Sequence, residues 1–345
     1  MTAFEAQDVY GESPAQDAAA TRPDETAGTA AEASRPATTP LVVRTLAELA
    51  GSFLVCFAIY AISSFGTSIY GANMAFVTVA TALAYAGVTT LLAGVSDVQL
   101  NPAVTIASVL VSRTAAIDAV AYVVAQLVGA IGAGALLRFL LPTSSSIAEK
   151  VWLTPAVNGY AEGSVSYSTV NSVGISFGVT MAIVVEVVAS LIIVGTAMRR
   201  FSDDASQGRF GARATALGVA YGVGAAICYP ITGASLNPAR ATGIALFAQG
   251  QGLTTEPLGQ LWVFWVCPVL AAAVVALVMI ASQMAQSAKH EKAAAPDSDA
   301  TAETAETAES ADEADAEQSG QHAYGEVADE QSDAQGNADE GIERH

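Results

Sequence analysis

Two segments of this chain carry side chains suited to handling a small polar molecule: Leu100-Asn101-Pro102-Ala103 and Leu236-Asn237-Pro238-Ala239, the second 136 residues after the first. Each reads as a helix start, because Asn is a favoured N-cap and Pro suits the first helical position, where its missing N–H removes no bond. The apolar runs that follow, Pro102 to Val111 and Pro238 to Ala248, are ten and eleven residues long. That is about 15–17 Å of helix against a hydrocarbon core of about 30 Å. Two half-helices entering from opposite faces would meet tip to tip at the midplane. Each Asn then has two readings. It caps its helix and does nothing more, or it caps through the side-chain oxygen and leaves its NH₂ free to donate to a passing oxygen. On the second reading Asn101 and Asn237 both donate, and the positive helix tips repel cations and disfavour a hydronium.

Three further side chains fall in register with these segments. Glu48 and Glu186 are 138 residues apart and lie in apolar surroundings. A buried carboxylate there is either a proton relay or an acceptor for the backbone N–H groups of the irregular segment before a half-helix. The symmetric placement favours the acceptor. Arg240 directly follows the second motif, and an arginine at such depth belongs beside a water-filled path, with anchoring of its loop as a compatible second role.

The elements that must position these groups are membrane spans. The 345 residues are 52% hydrophobic and 14% charged, with a mean hydropathy of +0.43, too apolar for an ordinary soluble protein. Apolar runs near 42–64, 73–95, 116–141, 171–198, 212–231 and 259–283 are mostly long enough to cross as helices. Ala84-Tyr85 recurs as Ala220-Tyr221 at the same offset of 136, so each copy holds three spans and one Asn-Pro-Ala segment. Three is odd, and the second copy must enter the membrane inverted. The non-helical backbone before each half-helix is tolerated at that depth where it is buried in protein or lines a wet path, and this geometry calls for a pore. Arg44, Arg113, Arg199, Arg200, Arg209, Arg213, Lys289 and Lys292 fall on one side of the map and, leaving Arg240 aside, only Arg138 and Lys150 on the other. By the retention of basic loops inside, both termini are expected in the cytoplasm.

Charge and inventory exclude other classes. The net charge of −19 divides into −5 over residues 1–40 and −14 over 288–345, leaving nine acids and nine bases between. The neutral body offers no basic face to nucleic acid. All three histidines lie in the C-terminal tail and Cys56, Cys228 and Cys267 sit in apolar runs. No cofactor, metal site, disulfide framework or enzymatic cluster is therefore expected. The domain reading is an acidic disordered tail over 1–40, a membrane body over 41–286 (repeats about 41–141 and 170–286), and a second acidic disordered tail over 287–345.

With these motifs in hand, the body resembles the major intrinsic protein family, the aquaporins and aquaglyceroporins. The resemblance rests on the two motifs with Val104 and Arg240, on Glu48 and Glu186, on Ala125-Gln126 with Gly129-Ala130, and on Phe264-Trp265-Val266 with Pro268. It implies an all-α membrane fold of six helices plus two re-entrant half-helices, a pore in each subunit, a homotetramer, and a place in the cell membrane. It also implies an outer selectivity constriction of Thr81, Ala225, Ala234 and Arg240. Strict water channels usually have an aromatic and a His there, and glycerol facilitators two aromatics. Neither is present, so the filter is expected to be wide. Ala241 and Phe264-Trp265 point toward the water-channel pattern, while Gln99 and Asp97 replace a His and a Gly near the cytoplasmic mouth. The expected function is passive passage of water and small uncharged solutes such as glycerol, with protons and ions excluded. A glycerol facilitator with water secondary, or an inverted-repeat secondary transporter, is the alternative.

Overall fold

The computed structural model describes residues 39–71, 73–164, 173–199 and 208–294. The first helix, α1 (Leu41–Ala61), continues through a π-helical turn at Ile62–Gly66 into Thr67–Tyr70 and stops at Gly71, whose φ of 59° suits glycine. Helix α2 (Met74–Leu92) is capped by Asn73, which accepts from Phe76 N at 3.1 Å. The half-helix α3 (Pro102–Leu110) and the span α4 (Ala116–Leu140) complete the first copy. A short helix α5 (Glu149–Leu153) occupies the loop between the two copies. The second copy is α6 (Gly178–Met198), α7 (Gly208–Thr232), the half-helix α8 (Pro238–Ala248) and α9 (Leu261–Ala294). Among the described residues, six helices are thus long and apolar enough to cross a membrane, and none of these residues forms a strand.

Polarity is inverted relative to a water-soluble bundle. Leu83, Val120, Val124 and Phe139 face outward, while Glu48, Gln126, Glu186, Asn101 and Asn237 are inside. This is the arrangement hydrocarbon demands, since an unsatisfied polar group on a lipid-facing surface costs several kcal/mol (roughly 2–7). Small residues let the helices approach closely. A methyl at Gly129 would meet the backbone N of Phe53 on α1 at 2.9 Å. One at Gly218 would meet the Ala82 carbonyl and the Ala86 methyl on α2, each at 2.8 Å. Gly134 of α4 lies against the Gly243 carbonyl of α8, and Gly243 against the Ala130 carbonyl, so the second half-helix is seated backbone to backbone. Apolar packing divides accordingly: one core joins side chains of α1, α2, α6 and α7, and another those of α1, α4 and α8.

Two boundaries differ from the sequence reading. The fourth span begins at Gly178 rather than near 171, because Gly174 and Gly178 adopt φ of 76° and 64°, incompatible with continuous right-handed helix. The last helix runs on to Ala294, past the expected boundary at 286. Ser287-Ala288-Lys289-His290-Glu291-Lys292-Ala293 is mostly good helix-forming sequence, and propagating an existing helix avoids the cost of nucleation. The remainder of the two acidic tails lies outside the described residues, as do Arg200 and residues 165–172.

Candidate functional site

Local sequence sets the first level of the site. Asn101 and Asn237 have extended backbones, with φ of −153° in both, and cap their half-helices through the side-chain oxygen. Asn101 Oδ1 accepts from Ala103 N at 2.9 Å, and Asn237 Oδ1 accepts from Ala239 N at 2.9 Å and Arg240 N at 3.4 Å. Pro102 and Pro238 occupy the first helical position. The repeat extends to the backbone. Val98 and Ala234 have φ of 48° and 56°, Leu100 and Leu236 53° and 59°, left-handed values that are costly for residues with a Cβ and persist where surroundings over-determine them.

The two buried carboxylates supply that determination. Glu48 Oε1 accepts from Gln99 N at 2.8 Å and Ser96 Oγ at 3.1 Å; Oε2 accepts from Leu100 N at 2.7 Å and Gln126 Nε2 at 2.9 Å. Glu186 repeats the pattern: Oε1 accepts from Ser235 N at 3.0 Å and Thr232 Oγ1 at 2.6 Å, and Oε2 from Leu236 N at 3.1 Å. Each carboxylate thus takes two consecutive backbone N–H groups immediately before its Asn. The strained segments are fixed by charge-assisted hydrogen bonds, the stronger kind.

The half-helices meet tip to tip. Asn101 Nδ2 donates to the Leu236 carbonyl at 2.9 Å, and Asn237 Nδ2 to the Leu100 carbonyl at 2.7 Å. The left-handed turn at each Leu aims its carbonyl at the opposing motif. The second N–H of each amide is also engaged: Asn101 Nδ2 donates to Tyr221 Oη at 3.0 Å and Asn237 Nδ2 to Tyr85 Oη at 3.2 Å. The sequence reading left both NH₂ groups free, and this is corrected. Tyr85 and Tyr221, which served there only to mark the repeat, stack with ring centroids 3.2 Å apart and planes within 4°. Asn101 and Asn237 are 0% exposed and both tyrosines 2%.

Arg240 is 2% exposed and is held from several sides. Its guanidinium donates to Asn158 Oδ1 and, at 3.4 Å, to the Gly233 carbonyl, while its own carbonyl accepts from Tyr60 Oη at 2.5 Å. Asn158 Nδ2 in turn donates to the carbonyls of Thr232 and Gly233, at 3.2 and 3.0 Å. The loop between the two copies therefore contributes a residue that orients Arg240. Sequence reasoning missed it, since an Asn-Gly pair in a Ser/Thr/Gly-rich stretch signals nothing beyond a turn. Thr81, Ala225 and Ala234 are all buried, and Ala225 and Ala234 share a core with Tyr85 and Tyr221. Gln99 turns away to donate to Thr114 Oγ1 at 2.9 Å, while Asp97 is exposed and its carbonyl accepts from Arg213 at 2.7 Å.

A family model described as "Major intrinsic protein" matches residues 37–279, well over half of the chain. The chain belongs to the major intrinsic protein family. Within it, the chain is 30% identical over 232 residues to aquaporin Z of Rhodopseudomonas palustris, covering 65% of this chain and 87% of that one. To aquaporin Z of Photorhabdus laumondii subsp. laumondii it is 28% identical over 231 residues, covering 65% and 90%. Among solved structures, the aquaglyceroporin from Plasmodium falciparum superposes with a TM-score of 0.51 at 18% identity, over 69% of this chain and 95% of that chain. At that identity the likeness speaks for the fold alone. The chain is thus a multi-pass integral membrane protein with an aquaporin-type channel fold.

Proposed function

We propose that this major intrinsic protein is a passive channel for water and small uncharged solutes such as glycerol, working in the cell membrane as a homotetramer with both termini cytoplasmic, and that it performs no enzymatic reaction. The observation that carries the reading is the cross-bonded meeting of the two Asn-Pro-Ala tips, each Asn donating to the carbonyl before the other. Side-chain N–H groups and two positive helix ends converge on one point in the membrane. A solute oxygen that takes the place of a tyrosine hydroxyl receives an amide N–H. Water held by two such donors points its hydrogens outward, which interrupts a proton wire. The names of the two bacterial relatives support water as a solute. Glycerol is supported by this chain's own Thr81, Ala225 and Ala234, which leave the outer constriction without an aromatic.

Glu48 and Glu186 are structural anchors in this reading, and Arg240, oriented by Asn158, repels cations and offers donors to neutral solutes. A secondary transporter is disfavoured, because such a site normally holds coupling-ion ligands, whereas both buried carboxylates here are occupied by backbone N–H groups. The test is flux into proteoliposomes, read by light scattering as shrinkage in impermeant sugar and re-swelling in glycerol, with voltage clamp of the same protein in planar bilayers. Flux of both above empty liposomes without ionic current is the expected result. Appreciable ion current would overturn the neutral-pore reading, and water flux without glycerol re-swelling would overturn the wide filter.

A further inference from the structure

Tyr85 lies four residues after Thr81, and Tyr221 four residues before Ala225, so each ring sits one helical turn along from a constriction residue, toward the asparagines it bonds. The two rings are related by the same 136-residue offset as the two motifs. Each takes the amide of the opposing half: Tyr221 that of Asn101, Tyr85 that of Asn237. Face to face at 3.2 Å, they are already inside the optimum of about 3.5–4.0 Å for carbon contacts, and no water fits between them. Isolated aromatic pairs favour offset or edge-on geometry at 4.5–7 Å, so this sandwich is imposed by its surroundings. Two features impose it: the amide bonds, and the seating of Gly218 and Gly222 of α7 directly on Ala82 and Ala86 of α2.

We infer that Tyr85 and Tyr221 form the selective constriction of this channel in place of an aromatic outer filter, and that their hydroxyl–amide bonds to Asn237 and Asn101 latch it shut. The inference rests on the channel reading above. In the latched state the asparagine N–H groups that a solute needs are consumed by the rings, so entry and unlatching are one event. A solute oxygen must displace a tyrosine hydroxyl from an amide, and the rings must part to let it through. A solute without an acceptor has nothing to exchange for the latch, which makes the pair a chemical filter as well as a steric one. The close α2–α7 seating directs the opening into ring rotation rather than helix separation.

The test compares wild type, Y85F/Y221F and Y85A/Y221A, each the full chain in proteoliposomes, by stopped-flow water and glycerol permeability per reconstituted protein, with helicity and elution volume checked in detergent. The phenylalanine pair keeps the rings and their packing and is the decisive variant should the alanine pair fold poorly. Each hydroxyl removed is expected to favour the open state about fivefold, the equivalent of about 1 kcal/mol per hydrogen bond. Water permeability of Y85F/Y221F should therefore rise about 5- to 25-fold over wild type. Y85A/Y221A should rise at least as far and admit glycerol faster. Equal permeability in all three, each well above empty liposomes, would overturn the inference and leave the channel reading standing. A rise in the alanine pair alone would overturn the latch. Permeability no greater than that of empty liposomes for all three folded proteins would overturn the channel reading itself.

Discussion

Glu48→Gln keeps the outline of the side chain and removes one acceptor position, so its effect can be worked from the four donors that converge there. An amide nitrogen placed at the Oε1 position would face Gln99 N–H and Ser96 Oγ; at Oε2 it would face Leu100 N–H and Gln126 Nε2. Ser96 can turn its hydroxyl, and Gln126, whose Oε1 has no partner, can flip its amide. A backbone N–H can do neither. In either orientation one buried backbone donor is orphaned, at about 1–3 kcal/mol, and the remaining bonds fall from charge-assisted to neutral, at roughly 1 kcal/mol more. The expected loss is about 2–4 kcal/mol, read as the shift in an SDS titration of helicity in mixed micelles, extrapolated linearly. Water permeability should fall with it, because Leu100 presents the carbonyl that holds Asn237. A variant whose stability stays within about 0.5 kcal/mol of wild type while proton conductance changes would refute the anchoring argument in favour of a relay. Glu186→Gln should behave alike. The double variant should fall short of the sum, since the two anchored loops are bonded to each other.

Arg240→Val, made with Y85A/Y221A so that the pore is open, should introduce a cation current under voltage clamp that Y85A/Y221A alone lacks; its absence would remove Arg240 as the charge barrier. Asn158→Ala should cost about 1–3 kcal/mol in the same SDS titration, because the carbonyls of Thr232 and Gly233 and the Arg240 guanidinium all lose a partner. Gly243→Val should abolish folding or cost more than about 4 kcal/mol, since even a Cβ there meets the Ala130 backbone and lies 2.8 Å from Tyr60 Oη. Detergent elution profiles would show it. T81F in the Y85A/Y221A background should cut glycerol re-swelling about tenfold while reducing water flux less; equal loss of both would show that the outer constriction is not where solutes are sorted.

The architecture was legible because it is written twice. An offset of 136 ties Asn101 to Asn237 and Leu100 to Leu236, and capping chemistry turns each copy into a helix start without knowledge of the rest. Glu48 and Glu186 were equally readable, as acids with no business in hydrocarbon unless something there needs an acceptor. The tyrosines show where such reading stops. Their recurrence was visible, but whether two rings on different spans touch depends on how closely those spans approach, and that is set by Gly218 and Gly222 bearing on Ala82 and Ala86. The asparagine amides were read as free for the same reason: capping is a local property, whereas the second use of the amide belongs to a residue more than a hundred positions away. Asn158 was invisible because it lies in the loop between the repeats and its partners, Thr232, Gly233 and Arg240, are 74 to 82 residues away in the second. The π-turn at Ile62–Gly66 leaves no mark in the apolar pattern of the first span.

The exchange of amides between the halves has a bearing on how this protein is made. Asn101 leaves the ribosome 136 residues ahead of its counterpart, an interval of roughly 7–27 s at about 5–20 residues per second. Tyr221 follows Asn101 by 120 residues and Leu236 follows it by 135, so for most of that time neither exists to receive its hydrogens, and Tyr85 has no ring to lie against. The leading half must wait in the translocation machinery, or beside lipid headgroups, with its re-entrant tip unfinished. Premature termination after the third span would yield a fragment that carries the first motif and cannot bury it, an obvious substrate for membrane quality control.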